Sequence, residues 1–108
     1  MFDFFERIKK EETEMNQVIY EDFCNKMDKA FVEGGSILMY LYFGNSYVSL
    51  DCHLEKFNKH TDSLYLETEE GNNIEIELNE QSEVEYDAVE DEYILTTDKL
   101  TVCVSFFG

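Results

Sequence analysis

The residues with the most to offer chemically are carboxylates. Residues 75–93, EIELNEQSEVEYDAVEDEY, hold nine Asp and Glu and no Lys or Arg. Within them Glu75 and Glu77 alternate with Ile74, Ile76 and Leu78, and Glu83, Glu85 and Asp87 alternate with Val84 and Tyr86. Alternation of this kind puts the apolar set on one face of a strand and the acidic set on the other. Glu90, Asp91 and Glu92 follow as an unbroken acidic run. Alternate strand residues lie ~6.7 Å apart, so two such rows on neighbouring strands would form a carboxylate lattice like nucleic-acid phosphates in sign and scale. The chemistry on offer is ionic recognition of a basic surface. Exposed strand faces are often charged, which keeps them soluble and blocks edge pairing. Ordinary surfaces interleave both signs, whereas residues 61–98 hold fourteen acids and no Lys or Arg.

Other chemistries find less support. Asp87, Glu90, Asp91 and Glu92 offer clustered oxygens, but the central Gly and terminal Glu of a calcium loop are missing. Cys52 and His53 are adjacent, so on a strand they face opposite ways and cannot share a zinc ion. His53 and His60 are the only histidines, and Cys24, Cys52 and Cys103 fall on or beside apolar stripes, where cysteine packs as a small hydrophobe. There is no phosphate-binding glycine loop and no nucleophile elbow. The expectation is a protein that is not an enzyme and uses no metal or cofactor.

The charge balance says what kind of partner to expect. The chain of 108 residues carries a formal net charge of −17, beyond the few units that solubility asks for. Self-repulsion of that size opposes compaction, and a basic partner would relieve it. The same charge disfavours direct binding to nucleic acid or to an anionic membrane. Nine Phe and seven Tyr set the chain apart from disordered acidic segments, which lack aromatics. Three cysteines at wide spacing do not make a disulfide framework. No signal peptide and no apolar run of membrane-spanning length are visible, which points to the cytoplasm. Seven Lys against one Arg fits the codon bias of an AT-rich bacterial or phage genome.

The elements that must position these groups divide the chain at Gly34-Gly35. Length fits one domain over residues 1–108, with 1–33 helical and 36–107 an antiparallel sheet. In the helical part Phe4, Phe5 and Ile8 share a face. Beyond KKEETE the residues Met15, Ile19, Phe23, Met27, Ala30 and Phe31 trace one stripe, with Val18 beside it. Phe2, Phe4 and Phe5 cannot all join one stripe. The polar interruption suggests a short helix and then a long one, the second capped by Thr13 and ended by Gly34-Gly35.

After Gly35 the period becomes two. Ser36–Phe43 and 46–54 flank Gly44-Asn45, a two-residue hairpin signal. Ser63–Thr68 and 73–78 flank a second turn, and 93–95 and 100–106 a third. Residues 83–87 read as extended rather than as a helix start at Ser82. The expected class is α+β: one or two helices, then a five- to six-stranded antiparallel meander, curved or barrel-like. The strand at 36–43 is apolar on both faces, so it is central or contacts a partner. Leu38, Tyr40 and Tyr42 are the candidate oligomer interface. Tyr47 and Tyr65 are further candidates, since Tyr buries area at small entropic cost; the alternative is that these tyrosines close the second face of the sheet.

The functional expectation is a small acidic inhibitor that binds a basic nucleic-acid-binding protein or nuclease by charge mimicry. Glu75, Glu77, Glu83, Glu85, Asp87, Glu90, Asp91 and Glu92 would make the contacts. Anti-CRISPR, anti-restriction and nuclease-immunity inhibitors share this profile of small, single-domain, strongly acidic chains; no motif carries the likeness. The alternative is a protein–protein assembly module, such as a homodimer through the two-sided apolar strand, whose acidity is incidental.

Overall fold

The computed structural model describes residues 3–107, with side chains from Gln17 onward. One helix, α1 (Asp3–Glu33), precedes seven strands: β1 (Ser36–Phe43), β2 (Ser46–Lys59), β3 (Ser63–Thr68), β4 (Asn73–Glu77), β5 (Glu83–Asp87), β6 (Glu92–Thr96) and β7 (Thr101–Phe107). The class is α+β. The helix is single, so Thr13 lies inside it rather than at its start. KKEETE interrupts the apolar stripe but not the backbone, since Lys and Glu are good helix formers. Phe2 and the side chains of Phe4, Phe5, Ile8 and Met15, placed above on apolar positions, are outside the described residues. Gly34 ends the helix at φ 73°, in the left-handed region. Gly35 N then donates to Ala30 O at 3.0 Å, the six-to-one bond of a glycine C-terminal cap.

The sheet has seven strands, not five or six, in the order β4-β3-β2-β1-β7-β6-β5. β5, expected to be extended but outside the three hairpins, makes the seventh; its five residues pair along their length with β6, Val84 opposite Leu95 and Tyr86 opposite Tyr93. β2 runs five residues beyond its expected end at Leu54. Its first part pairs with β1, and after a register shift between Leu54 and Lys56 its second part pairs with β3. An extra residue at that shift breaks the period-two pattern but lets Leu54 and Phe57 both face inward.

All ladders are antiparallel. Only residues 78–82 join β4 to β5, the two edges of the sheet. Six extended steps reach at most ~21 Å, whereas seven flat strands would set their edges ~29 Å apart. The sheet therefore curls. It does not close, since no ladder joins β4 to β5.

α1 packs on the inner face, against β2 and β5. Among its described side chains Phe23, Cys24, Met27 and Ala30 are buried. Ile37, Met39 and Leu41 of β1, Leu64 and Leu66 of β3, and Val102 and Val104 of β7 lie in the core with them, and β2, β4, β5 and β6 add Leu54, Phe57, Ile76, Val84, Tyr93 and Leu95. Each such large side chain contributes about 1.5–3 kcal/mol on burial. Phe23 is the helix's central anchor, with its ring 5.6 Å from Tyr93 and 6.3 Å from Phe106. The Tyr93 hydroxyl donates to the Asp22 carboxylate and holds the same turn of helix to β6. Phe31, expected on the stripe, is 36% exposed, and Val18 is 66% exposed; both fall outside the arc that the sheet covers. Among the described residues no helix is long and apolar enough to cross a membrane.

Candidate partner-binding surface

The strand pairings place the outward side chains of five strands in cross-strand rows. One row runs Glu85, Ile94, Cys103, Tyr40, Ser49. The row on one side runs Glu83, Thr96, Thr101, Tyr42, Tyr47. On the other side, Asp87 pairs with Glu92, and Leu38 with Ser105 and Asp51. An apolar and aromatic strip on β1, Leu38, Tyr40 and Tyr42, thus lies between carboxylates of β5–β6 and Asp51 of β2. Tyr40 and Tyr42 stack with centroids 6.4 Å apart, and Tyr42 meets Tyr47 at 5.9 Å. Tyr42 and Tyr47 are 43% and 64% exposed; Leu38, Tyr40, Ile94 and Cys103 are half-buried. The helix covers the opposite face, so Leu38, Tyr40 and Tyr42 stand uncovered by any described element. Cys103 belongs to this outward face rather than to the core, where Cys24 and Cys52 lie.

The acidic residues expected to form one lattice do not. β4 and β5 are opposite edges of the sheet, not neighbours, because the chain crosses from one edge to the other between them. Glu75 and Glu77 lie beside Tyr65 and Ser63 of β3, and that region has its own cations. Lys99 Nζ lies 2.8 Å from Glu77 Oε2 in an exposed ion pair, and this hydrogen bond holds the Glu77 carboxyl below its ordinary range. Lys56 sits over the Tyr65 ring at 5.7 Å, and Tyr65 donates to Glu67 at 2.5 Å, so Tyr65 is not part of the aromatic strip. By contrast, the outward positions of β1, β5, β6, β7 and of β2 as far as His53 include no Lys or Arg. Glu83, Glu85, Asp87 and Glu92 are therefore the expected acids that share a face with the tyrosines, and Asp51 joins them from β2.

Two of the candidate acids shape the β5–β6 turn. Asp87 Oδ1 accepts from Val89 N at 3.0 Å and Glu90 N at 3.3 Å. Asp91 takes a left-handed φ of 51° and accepts from the Tyr86 hydroxyl. Local acceptors of this kind explain why turns favour Asp. Glu90 is exposed between them. Asp51, Ile94 and Cys103 share the surface but were not read as site residues. Alternation placed Asp51 outward, and only the pairing register could bring the other two beside Tyr40.

Burial raises the cysteine thiols. Cys52 is pushed up to about 11 by burial and then by the fields of Glu70 and Asp51. Cys103 is also pushed up to about 11, by burial first and then by Glu92. Folding therefore favours the neutral thiols, whose ordinary value is about 8.5. Stability from this source is full below that value and is lost as pH rises through about 11. Urea melts between pH 8 and 11 are expected to show a falling midpoint, with a shallower fall for Cys103→Ala. A midpoint flat to pH 11 would contradict the burial described for these thiols.

Among the described residues no group of three or more His, Cys, Asp or Glu could hold a metal ion. One surface groove is lined by Gln17, Tyr20, Leu78, Ser82, Glu83 and Leu95, and another by Glu21, Cys24, Asp28, Phe57 and Lys59. No protein-family model, no curated protein and no solved structure matches the chain.

Proposed function

We propose that this protein is a non-enzymatic inhibitor that occupies the nucleic-acid channel of a basic binding protein or nuclease, with carboxylates standing in for phosphates. The observation that carries the reading is the outward face of β1, β5, β6, β7 and β2 as far as His53, where Glu83, Glu85 and Glu92 border an uncovered tyrosine strip and no position is Lys or Arg. A single row on β5, extended by Glu90 and Glu92, takes the place of a two-strand lattice. Outward residues along that row are ~6.7 Å apart. Glu75 and Glu77 form a second acidic margin, weakened by Lys99. Inhibitors of the anti-CRISPR, anti-restriction and nuclease-immunity kind fit this description.

Homodimerisation through Leu38, Tyr40 and Tyr42 is the second reading, favoured by the uncovered apolar strip. It brings together two faces that both carry carboxylates and no base, and like charges opposed in an interface are costly. A basic partner meets the same apolar strip without that cost.

Capture from bacterial lysate on the immobilised protein, at low and at high salt, tests the reading. Nucleic-acid-binding enzymes are expected to be retained at low salt and released by salt or by duplex DNA, because exposed ion pairs are screened. Retention that neither salt nor DNA disturbs would contradict it, as would light scattering that shows a tight dimer sealed through this face.

A further inference from the structure

The chain has seven tyrosines, and they divide into two groups. Tyr20, Tyr65, Tyr86 and Tyr93 each have a lysine ammonium over the ring. Lys59 lies 5.1 Å from the Tyr20 centroid, Lys56 5.7 Å from Tyr65, and Lys26 5.9 Å and 5.3 Å from Tyr86 and Tyr93. Tyr40, Tyr42 and Tyr47 have no such partner among the described residues. They also adjoin one another in one continuous platform, with the Tyr40 and Tyr42 rings stacked at 6.4 Å and the Tyr42 and Tyr47 rings tilted at 5.9 Å between centroids. Residues 36–50, which carry them, contain no charged residue at all in a chain that is 31% charged.

We infer that this three-tyrosine platform receives arginine side chains of the basic partner, stacked on the rings and paired with the carboxylates beside them. The inference rests on the proposed function and names the group that is recognised. Arginine fits better than lysine for three reasons. Its planar guanidinium stacks flat on an aromatic face, it is the more weakly hydrated cation, and its fork of donors bonds a carboxylate in two places. Glu92 lies two strands from β1, and its field acts on Tyr42 as well as on Cys103. Two strand spacings are ~9.6 Å, within reach of a guanidinium that lies across the platform. Asp51, across from Leu38 on the other side, offers a second carboxylate. Stacking also gives this surface a selectivity that uniform negative charge lacks, because any cation satisfies the charge and only a planar one satisfies the rings.

The test uses the full chain and two synthetic peptides, nona-arginine and nona-lysine, titrated at near-physiological salt. The arginine peptide is expected to bind about five- to tenfold more tightly, the range that one or two stacking contacts supply. A variant with Tyr40, Tyr42 and Tyr47 all changed to Leu is expected to bind both peptides at the level the lysine peptide shows on the unaltered chain. The corresponding Phe variant is expected to keep the preference, since the ring is retained. Equal affinity for the two peptides on the unaltered chain, or a preference that survives the Leu variant, would overturn the platform while leaving charge mimicry standing. Failure of both peptides to bind at low salt would overturn both.

Discussion

Phe23→Ala is expected to lower the stability of the fold by about 3–5 kcal/mol, the usual loss for a buried aromatic. Phe23 is 1% exposed and meets both Tyr93 and Phe106. It joins the helix to β6 and β7, so the truncation opens a cavity where the helix rests on the curled sheet. Domains of this size have about 5–15 kcal/mol in total. A single change would then remove a large share, with Tm falling by at least about 12 °C. Val32→Ala supplies the comparison. Val32 is 74% exposed, and its loss is expected to stay within about 0.5 kcal/mol. Equal melting of the two variants would mean that the helix does not pack on the sheet as described.

The parts of the fold legible in the sequence are those where a period survives without interruption. Phe23, Met27 and Ala30 recur at helical spacing and are buried together. Gly44 sits at the tip of the first hairpin with φ 55°, as the Gly-Asn signal predicts. The strand apolar on both faces proved central, as β1. Legibility failed where the cause is non-local or irregular. The end of β2 was missed because a bulge at Glu55 breaks alternation. Of the one or two helices expected, the structure has one; the preference for two rests on the polar stretch KKEETE, although Lys and Glu cost a helix little. The acidic rows were recognised as rows, but their arrangement depended on strand order. Residues 78–82 carry the chain between opposite edges of the sheet, and no local pattern encodes that crossing. The pairing of Lys99 with Glu77, 22 residues apart, was equally invisible.

The electrostatic prediction follows from that arrangement. Changing Glu83, Glu85, Glu90 and Glu92 together to Gln is expected to weaken partner binding on the order of ten- to a hundredfold. Exposed charge contacts are each worth about 0.2–1 kcal/mol. Part of the loss is expected in the association rate, since steering depends on the summed field. Asp87 is left unchanged because it holds the β5–β6 turn. Stability is expected to stay equal or rise as repulsion is relieved. Two comparisons sharpen the result. Glu77→Gln is expected to matter less than any member of the set, because Lys99 already answers that charge. Neutralising Glu11, Glu12 and Glu14 in the helix is expected to matter less than the set as a whole. Equivalent losses from the helical and the sheet sets would show that net charge alone, and not this face, governs binding.

The central claim is that the acidic sheet face takes the place of nucleic acid in a partner's channel. It is tested most directly by competition on the isolated partner. The partner is first bound to a fluorescently labelled oligonucleotide, and the protein is then titrated in while anisotropy is followed. The account predicts complete displacement of the oligonucleotide, with the apparent affinity falling as oligonucleotide concentration rises and as salt rises. A stable ternary complex, in which protein and oligonucleotide occupy the partner together without weakening one another, would contradict it.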